Sequence, residues 1–263
     1  QQPTRTLTLV PGATYHAGGA MRHGTTRGDM AVVPTELVAR RAFLSRLGLG
    51  FGGAAAVGTT ALAAQAPAAE TTRFQPARHA IDDWFDQVPG KHRFILDTAS
   101  PEAFGNALAF LNNYFNVNKS AYNLQDADIA VVLIARHLST LFAYNETVWG
   151  KYGEQITQRT NFNDPMTKQA PKINLFNSAA HAALLTNRGT TVNALIARGL
   201  RLAVCMQSSR GYAAGIAMAT GGTPEGVYNE IVANVLPNAH MVPAGITAIN
   251  RAQERGYSVA SIS

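Results

Sequence analysis

Ile129-Ala130-Val131-Val132-Leu133-Ile134-Ala135 constrains this chain more than any other stretch. Seven apolar residues follow one another without alternation, so the segment has no face to turn to water. Such a run indicates a strand buried on both sides, as a parallel sheet covered by helices produces. Leu202-Ala203-Val204-Cys205-Met206 repeats the pattern. Both demand helical layers above and below them, and the surrounding sequence supplies those layers.

Phe94-Ile95-Leu96 is a first short strand, followed by Ser100-Pro101-Glu102, which combines an N-cap, a proline at the first helical position and an acidic first turn. Phe104, Ala107, Leu108, Leu111 and Phe115 then recur at helical spacing until the Asn-rich segment 116–123. A polar crossing over 136–145 leads to a short helix over 146–155 and to the longest loop candidate, 157–177, which contains Pro165 and Pro171. A helix over 190–198 closes at Gly199, and Ser208 or Ser209 is the expected cap of another that runs through Ala219 to Gly221-Gly222. Thr223-Pro224-Glu225 repeats the cap-proline-acid signature, with Val227, Ile231 and Val235 as the buried stripe. Met241-Val242, a helix over 246–255 closed by Gly256, and Ser258 to Ile262 complete the series. Five strands alternating with helices predict one three-layer α/β/α domain with a mostly parallel sheet, because right-handed crossovers leave few other arrangements. Over residues 92–263 neither a Gly-x-Gly-x-x-Gly turn nor a P-loop is present, which weakens a nucleotide-binding reading of the domain.

Charge narrows the function further. The net charge of +6 is unevenly placed: residues 1–69 hold six Arg against one Asp and one Glu, a net +4. Residues 70–263 hold 16 Lys and Arg against 14 Asp and Glu, a net +2, with no basic cluster interleaved with aromatics. That body does not read as a nucleic-acid binder. A single cysteine, Cys205, excludes an intramolecular disulfide framework and any Cys-based metal cage.

Arg40-Arg41-Ala42-Phe43-Leu44-Ser45 precedes an uncharged, Gly- and Ala-rich run from Leu47 to Ala69. This resembles a twin-arginine export signal over 30–69, with the arginine pair as address and small residues fitting the signal peptidase. Ala39 and Ser45 depart from the usual motif. The run is long enough to span a bilayer of roughly 30 Å, but five glycines between Gly48 and Gly58 make it a poor stop-transfer helix. The expectation is therefore cleavage after Ala63 or Ala68, the twin-arginine translocase as a partner, a periplasmic or otherwise exported product, and no stable membrane anchor afterwards. Residues 1–29 read as a non-native or upstream segment, with Met30 as the natural start. Residues 70–91 read as a polar N-terminal arm whose Ile81, Trp84, Phe85 and Val88 pack on the domain edge.

Leu202-Ala203-Val204-Cys205-Met206-Gln207-Ser208-Ser209-Arg210-Gly211 resembles the strand-cysteine-helix segment of the DsrE/DsrF-like family. Val242-Pro243-Ala244-Gly245 with Ala252-Gln253-Glu254-Arg255-Gly256-Tyr257 is similar to that family's closing unit. The resemblance covers residues 92–263. It implies a flavodoxin-like α/β/α domain, assembly as a homo-oligomer (trimer or hexamer), and, in some members, passage of persulfide sulfur between cysteines.

Cys205, ending a strand before a helix, would face the crevice where open α/β sheets bind ligands, and the helix N-terminus would favour its thiolate. Ser208, Ser209 and Arg210 would supply dipoles and charge. Against this, a free cysteine often packs as a small hydrophobe. His137, after the second strand, would be a general base or ligand anchor if it is not simply a surface histidine, with Asn145 nearby. Asn145, Trp149 and Tyr152 form one helical stripe, more often core than site. His79, His92, His181 and His240 show no metal-ligand spacing, and Asp82, Asp83 and Asp86 read as a solvated face, so neither a metal nor another cofactor is expected. Two readings follow, and whether the chain is an enzyme stays open between them. In one it is an exported persulfide carrier acting through Cys205, which with no second cysteine needs a thiol or sulfur-carrier partner. In the other it is a non-catalytic oligomeric module that binds a small ligand or a partner protein.

Overall fold

In the computed structural model, which describes residues 74–181 and 183–263, five strands form one sheet in the order β4-β3-β2-β1-β5. They are β1 (His92–Thr98), β2 (Ile129–Ala135), β3 (Arg201–Cys205), β4 (Ala239–Val242) and β5 (Ser258–Ile262), and every neighbouring pair is parallel. The helices are α1 (Trp84–Gln87), α2 (Pro101–Tyr122), α3 (Glu146–Thr160), α4 (Val192–Ala197), α5 (Met206–Thr220), α6 (Pro224–Ala233) and α7 (Gly245–Gln253). The flavodoxin-like three-layer architecture is thus present, with the order 4-3-2-1-5 in place of flavodoxin's own 2-1-3-4-5.

The strand order decides which face each helix covers. From β1 to β4 the chain always steps the same way across the sheet, so right-handed crossovers place α2 to α6 on one face. The large core confirms it, joining Leu96, Val131, Leu133, Leu202 and Val204 to Phe104, Leu111, Trp149, Leu195, Ile216 and Ile231. Only the return from β4 to β5 runs the other way, and α7 alone of the crossover helices covers the opposite face. There Ile95, Ala130, Val132, Ile134, Ala203 and Val242 pack against Ala248 and Ala252.

The N-terminal arm supplies the rest of that thin layer. Phe85 and Val88 are buried in it, and Tyr257 donates its hydroxyl hydrogen to the Phe85 carbonyl at 2.7 Å. The arm therefore lies on a sheet face rather than at the domain edge and belongs to the same unit, Glu70–Ser263. Ile81 is the exception in the expected patch, 59% exposed. Of the acidic group read as a solvated face, Asp83 and Asp86 are exposed but also anchor the arm, whereas Asp82 is buried. Buried Arg255 donates to Asp86 at 3.3 Å and Asp83 at 3.1 Å, and Arg93 reaches Asp86 at 3.1 Å.

Two further expectations are corrected. The segment after β2 is not a polar surface crossing: Ser139 to Tyr144 are fully buried, the hydroxyls of Ser139 and Thr140 bonded to backbone carbonyls. The helix at 146 continues to Thr160, five residues further than its apolar periodicity shows, and ends at Asn161 in the left-handed conformation.

Candidate functional site

In an open parallel sheet, a crevice opens where neighbouring strands send their following helices to opposite faces. Here that happens between β3, which continues into α5 on the thick side, and β4, which continues into α7 on the thin side. Cys205 is the last residue of β3 and pairs with Val242, the last of β4. Strand alternation puts it on the face of Ala203, toward α7.

The helix begins earlier than its serines suggest. Cys205 itself is the N-cap of α5, in extended conformation, and its Sγ accepts the Ser208 N–H at 3.5 Å. The sulfur thus meets a backbone donor at the start of a 15-residue helix. The thiol is nevertheless only 5% exposed. Ser208 and Ser209 have other work. Ser208 Oγ accepts the His137 N–H at 2.9 Å, which ties the loop after β2 to the start of α5. Ser209 Oγ donates to the Cys205 carbonyl at 3.1 Å and accepts from the buried Tyr144 hydroxyl at 2.8 Å. Burial pushes the Tyr144 hydroxyl far above the ordinary tyrosine range, so it remains a donor.

The positive charge at the site comes from a residue that sequence reasoning missed. Arg210 points away: it is exposed, pairs with Glu225 at 3.3 Å and lies 4.0 Å over the Tyr228 ring. Arg136, just past the end of β2, is instead gripped by Asp97 of β1 through two hydrogen bonds, 2.7 and 2.8 Å. That grip pushes its pKa up, with a smaller electrostatic contribution from Cys205 in the same direction. Gly245, the first residue of α7, makes room: a Cβ there would stand 2.6 Å from Arg136 Cβ. The available signal was Asp97 itself, an acid directly after a buried apolar run.

His137 does lie beside the crevice, in the left-handed region at φ 55°, with its backbone rather than its ring engaged. Asn145 does not join the site. It caps α3 by accepting the Thr147 N–H at 3.0 Å and donates to Asn234 Oδ1 at 3.2 Å, beside a different cavity. Trp149 and Tyr152 from the same stripe are core. Arg40 and Arg41 lie outside the described residues.

Elsewhere, Ser178, His181 and Asp164 form a hydrogen-bonded chain of 2.7 and 3.2 Å. Asp164 Oδ1 also accepts from the Met166 N–H at 2.7 Å, and Ser178 lies only three residues before His181. The trio reads as a staple joining the two ends of the long loop. Among the described residues no group of three or more His, Cys, Asp or Glu can hold a metal ion. Comparison of the chain with known protein families, curated proteins and solved structures finds no match.

Proposed function

We propose that this protein carries sulfane sulfur as a persulfide on Cys205. The observation that carries this reading is the placement of the sole thiol at the β3–β4 crevice, as the cap of α5, with the Ser208 N–H on its sulfur. In the charging step the Cys205 thiolate, its proton released to solvent, attacks the outer sulfur of a donor persulfide R–S–SH. A new S–S bond forms, the donor's S–S bond breaks, and R–S⁻ leaves. In the discharging step an acceptor thiolate attacks the same outer sulfur and Cys205 returns as thiolate. A partner thiol is required, because the chain has one cysteine. The low exposure of Cys205 favours small donors.

The DsrE/DsrF-like resemblance, export through the twin-arginine pathway and homo-oligomeric assembly belong to the same proposal. Export rests on Arg40-Arg41 and the uncharged run to Ala69. Self-association is supported by an exposed apolar surface on α2 beside β5.

Intact-mass measurement of the folded protein after treatment with glutathione persulfide tests the sulfur reading. The expected result is a gain of one sulfur atom, reversed by a thiol reductant and absent in Cys205→Ser. No gain, whether or not the native thiol alkylates, overturns it. The near-complete burial of Cys205 favours the second reading, a binding module in which the thiol only caps α5. A thiol that alkylates only after unfolding would point there.

A further inference from the structure

A cavity of about 260 Å³ lies between α1 and the starts of β3 and β4, lined by Trp84, Gln87, Val88, Arg201, Asn238 and His240. It shares the thin face of the sheet with Cys205 but sits at the other end of β3. Arg201 stands four positions before Cys205 along the strand, about 13 Å away. The persulfide reading makes no use of it.

Arg201 is the feature that asks for a ligand. It is half-buried, and among the described residues it has no carboxylate partner. Its hydrogen bond is to a neutral group, Asn238 Oδ1 at 2.7 Å. Asn238 holds that oxygen in place through its own amide, which bonds the Ile196 and Leu200 carbonyls at 3.4 Å each. The guanidinium is thus fixed in direction while no carboxylate of the described residues compensates its charge, and a partly buried cation of this kind lowers its energy by taking an anion. Gln87, exposed at the rim, adds an amide donor, and His240 adds a ring nitrogen. Trp84 Nε1, also at the wall, is buried without an acceptor.

The remaining wall is apolar. Val88, Ala239 and the Trp84 ring, which stacks on His240 with centroids 4.5 Å apart, line it beside the polar groups and suit a short hydrocarbon body. No acid lines the cavity among the described residues, and Asp82, which acts electrostatically on His240, lies 4.0 Å from Arg251. A single fixed guanidinium fork matches a carboxylate in two parallel hydrogen bonds. We propose that this cavity binds a small monocarboxylate with a short apolar tail, its carboxylate on Arg201 and its tail against Val88 and Trp84.

The chain has two tryptophans, so ¹⁵N-labelled full-length protein has two indole resonances, and Trp149 is a fully buried internal reference. Titration with butyrate is expected to move the Trp84 resonance saturably and leave that of Trp149 in place. Arg201→Gln should weaken binding at least tenfold with an unchanged melting temperature. Gln87→Glu changes an exposed side chain, so the fold survives, and it should weaken binding similarly by repulsion. Inorganic phosphate and acetate should bind more weakly than butyrate. The proposal is overturned by no saturable movement at tens of millimolar butyrate, by unchanged binding in Gln87→Glu, or by phosphate binding as tightly as butyrate.

Discussion

His240 stacks on Trp84 in the thin layer, and burial holds its pKa below the ordinary histidine value, against an opposing pull from Asp82. A histidine depressed in the fold binds fewer protons there than in the unfolded chain once the pH drops below about 6.5. Its contribution to stability is therefore complete above that value and is lost as the pH falls toward the depressed one. Urea midpoints measured from about pH 7.5 to about pH 5 should fall more steeply for the wild type than for His240→Gln. Parallel curves would remove His240 as the cause. At the same scale, Cys205 was legible because it is the only thiol at the end of a buried run. Arg136 was not, since its role depends on Asp97, a residue 39 positions earlier that becomes a neighbour only through the β1–β2 register.

Among elements, α3 shows how tertiary contact reverses a local preference. Replacing a mid-helix glycine with alanine gains up to about 1 kcal/mol from propensity alone. Gly153, however, faces the Pro171 carbonyl so closely that an added Cβ would collide with it, and overpacking of this kind costs about 1–3 kcal/mol or more. Gly150, on the same helix, has only the Lys172 carbonyl at 3.6 Å. Denaturant unfolding should show Gly150→Ala neutral to stabilising and Gly153→Ala destabilised by about 2 kcal/mol. A stabilised Gly153→Ala would mean that the 161–174 segment does not rest on α3. Helix starts with side-chain caps were legible: Ser100 and Thr223 each accept the N–H three residues on, at 3.1 Å. The start of α5 was misplaced because sulfur is a weak acceptor and cysteine an unusual cap.

On the scale of the molecule, the order 4-3-2-1-5 leaves β5 at the sheet edge beyond the four thick-side crossovers, so on that side only the flank of α2 reaches it. The consequence is an apolar groove lined by Phe94, Phe110, Tyr114, Val117 and Ile262, with Phe110 47%, Val117 52% and Tyr122 70% exposed. Such a surface beside an unpaired edge strand suits a second copy of the chain. Sedimentation should show the full chain as an oligomer, and Val117→Lys should shift it toward monomer at equal concentration with an unchanged far-ultraviolet dichroism spectrum. A monomeric wild type would leave the groove without that role.

Local chemistry, readable in the sequence, determined the class of this protein: two runs with no polar face require a covered parallel sheet, and cap-proline-acid signatures place two of its helices. The tertiary structure decided the rest. Which strands neighbour one another sets the crevice between β3 and β4, brings Arg136 onto Asp97 while Arg210 pairs with Glu225, and lays the arm over a bare sheet face. These outcomes depend on contacts between residues far apart in the chain, which periodicity and capping do not encode, because they report only on neighbours within a turn or two.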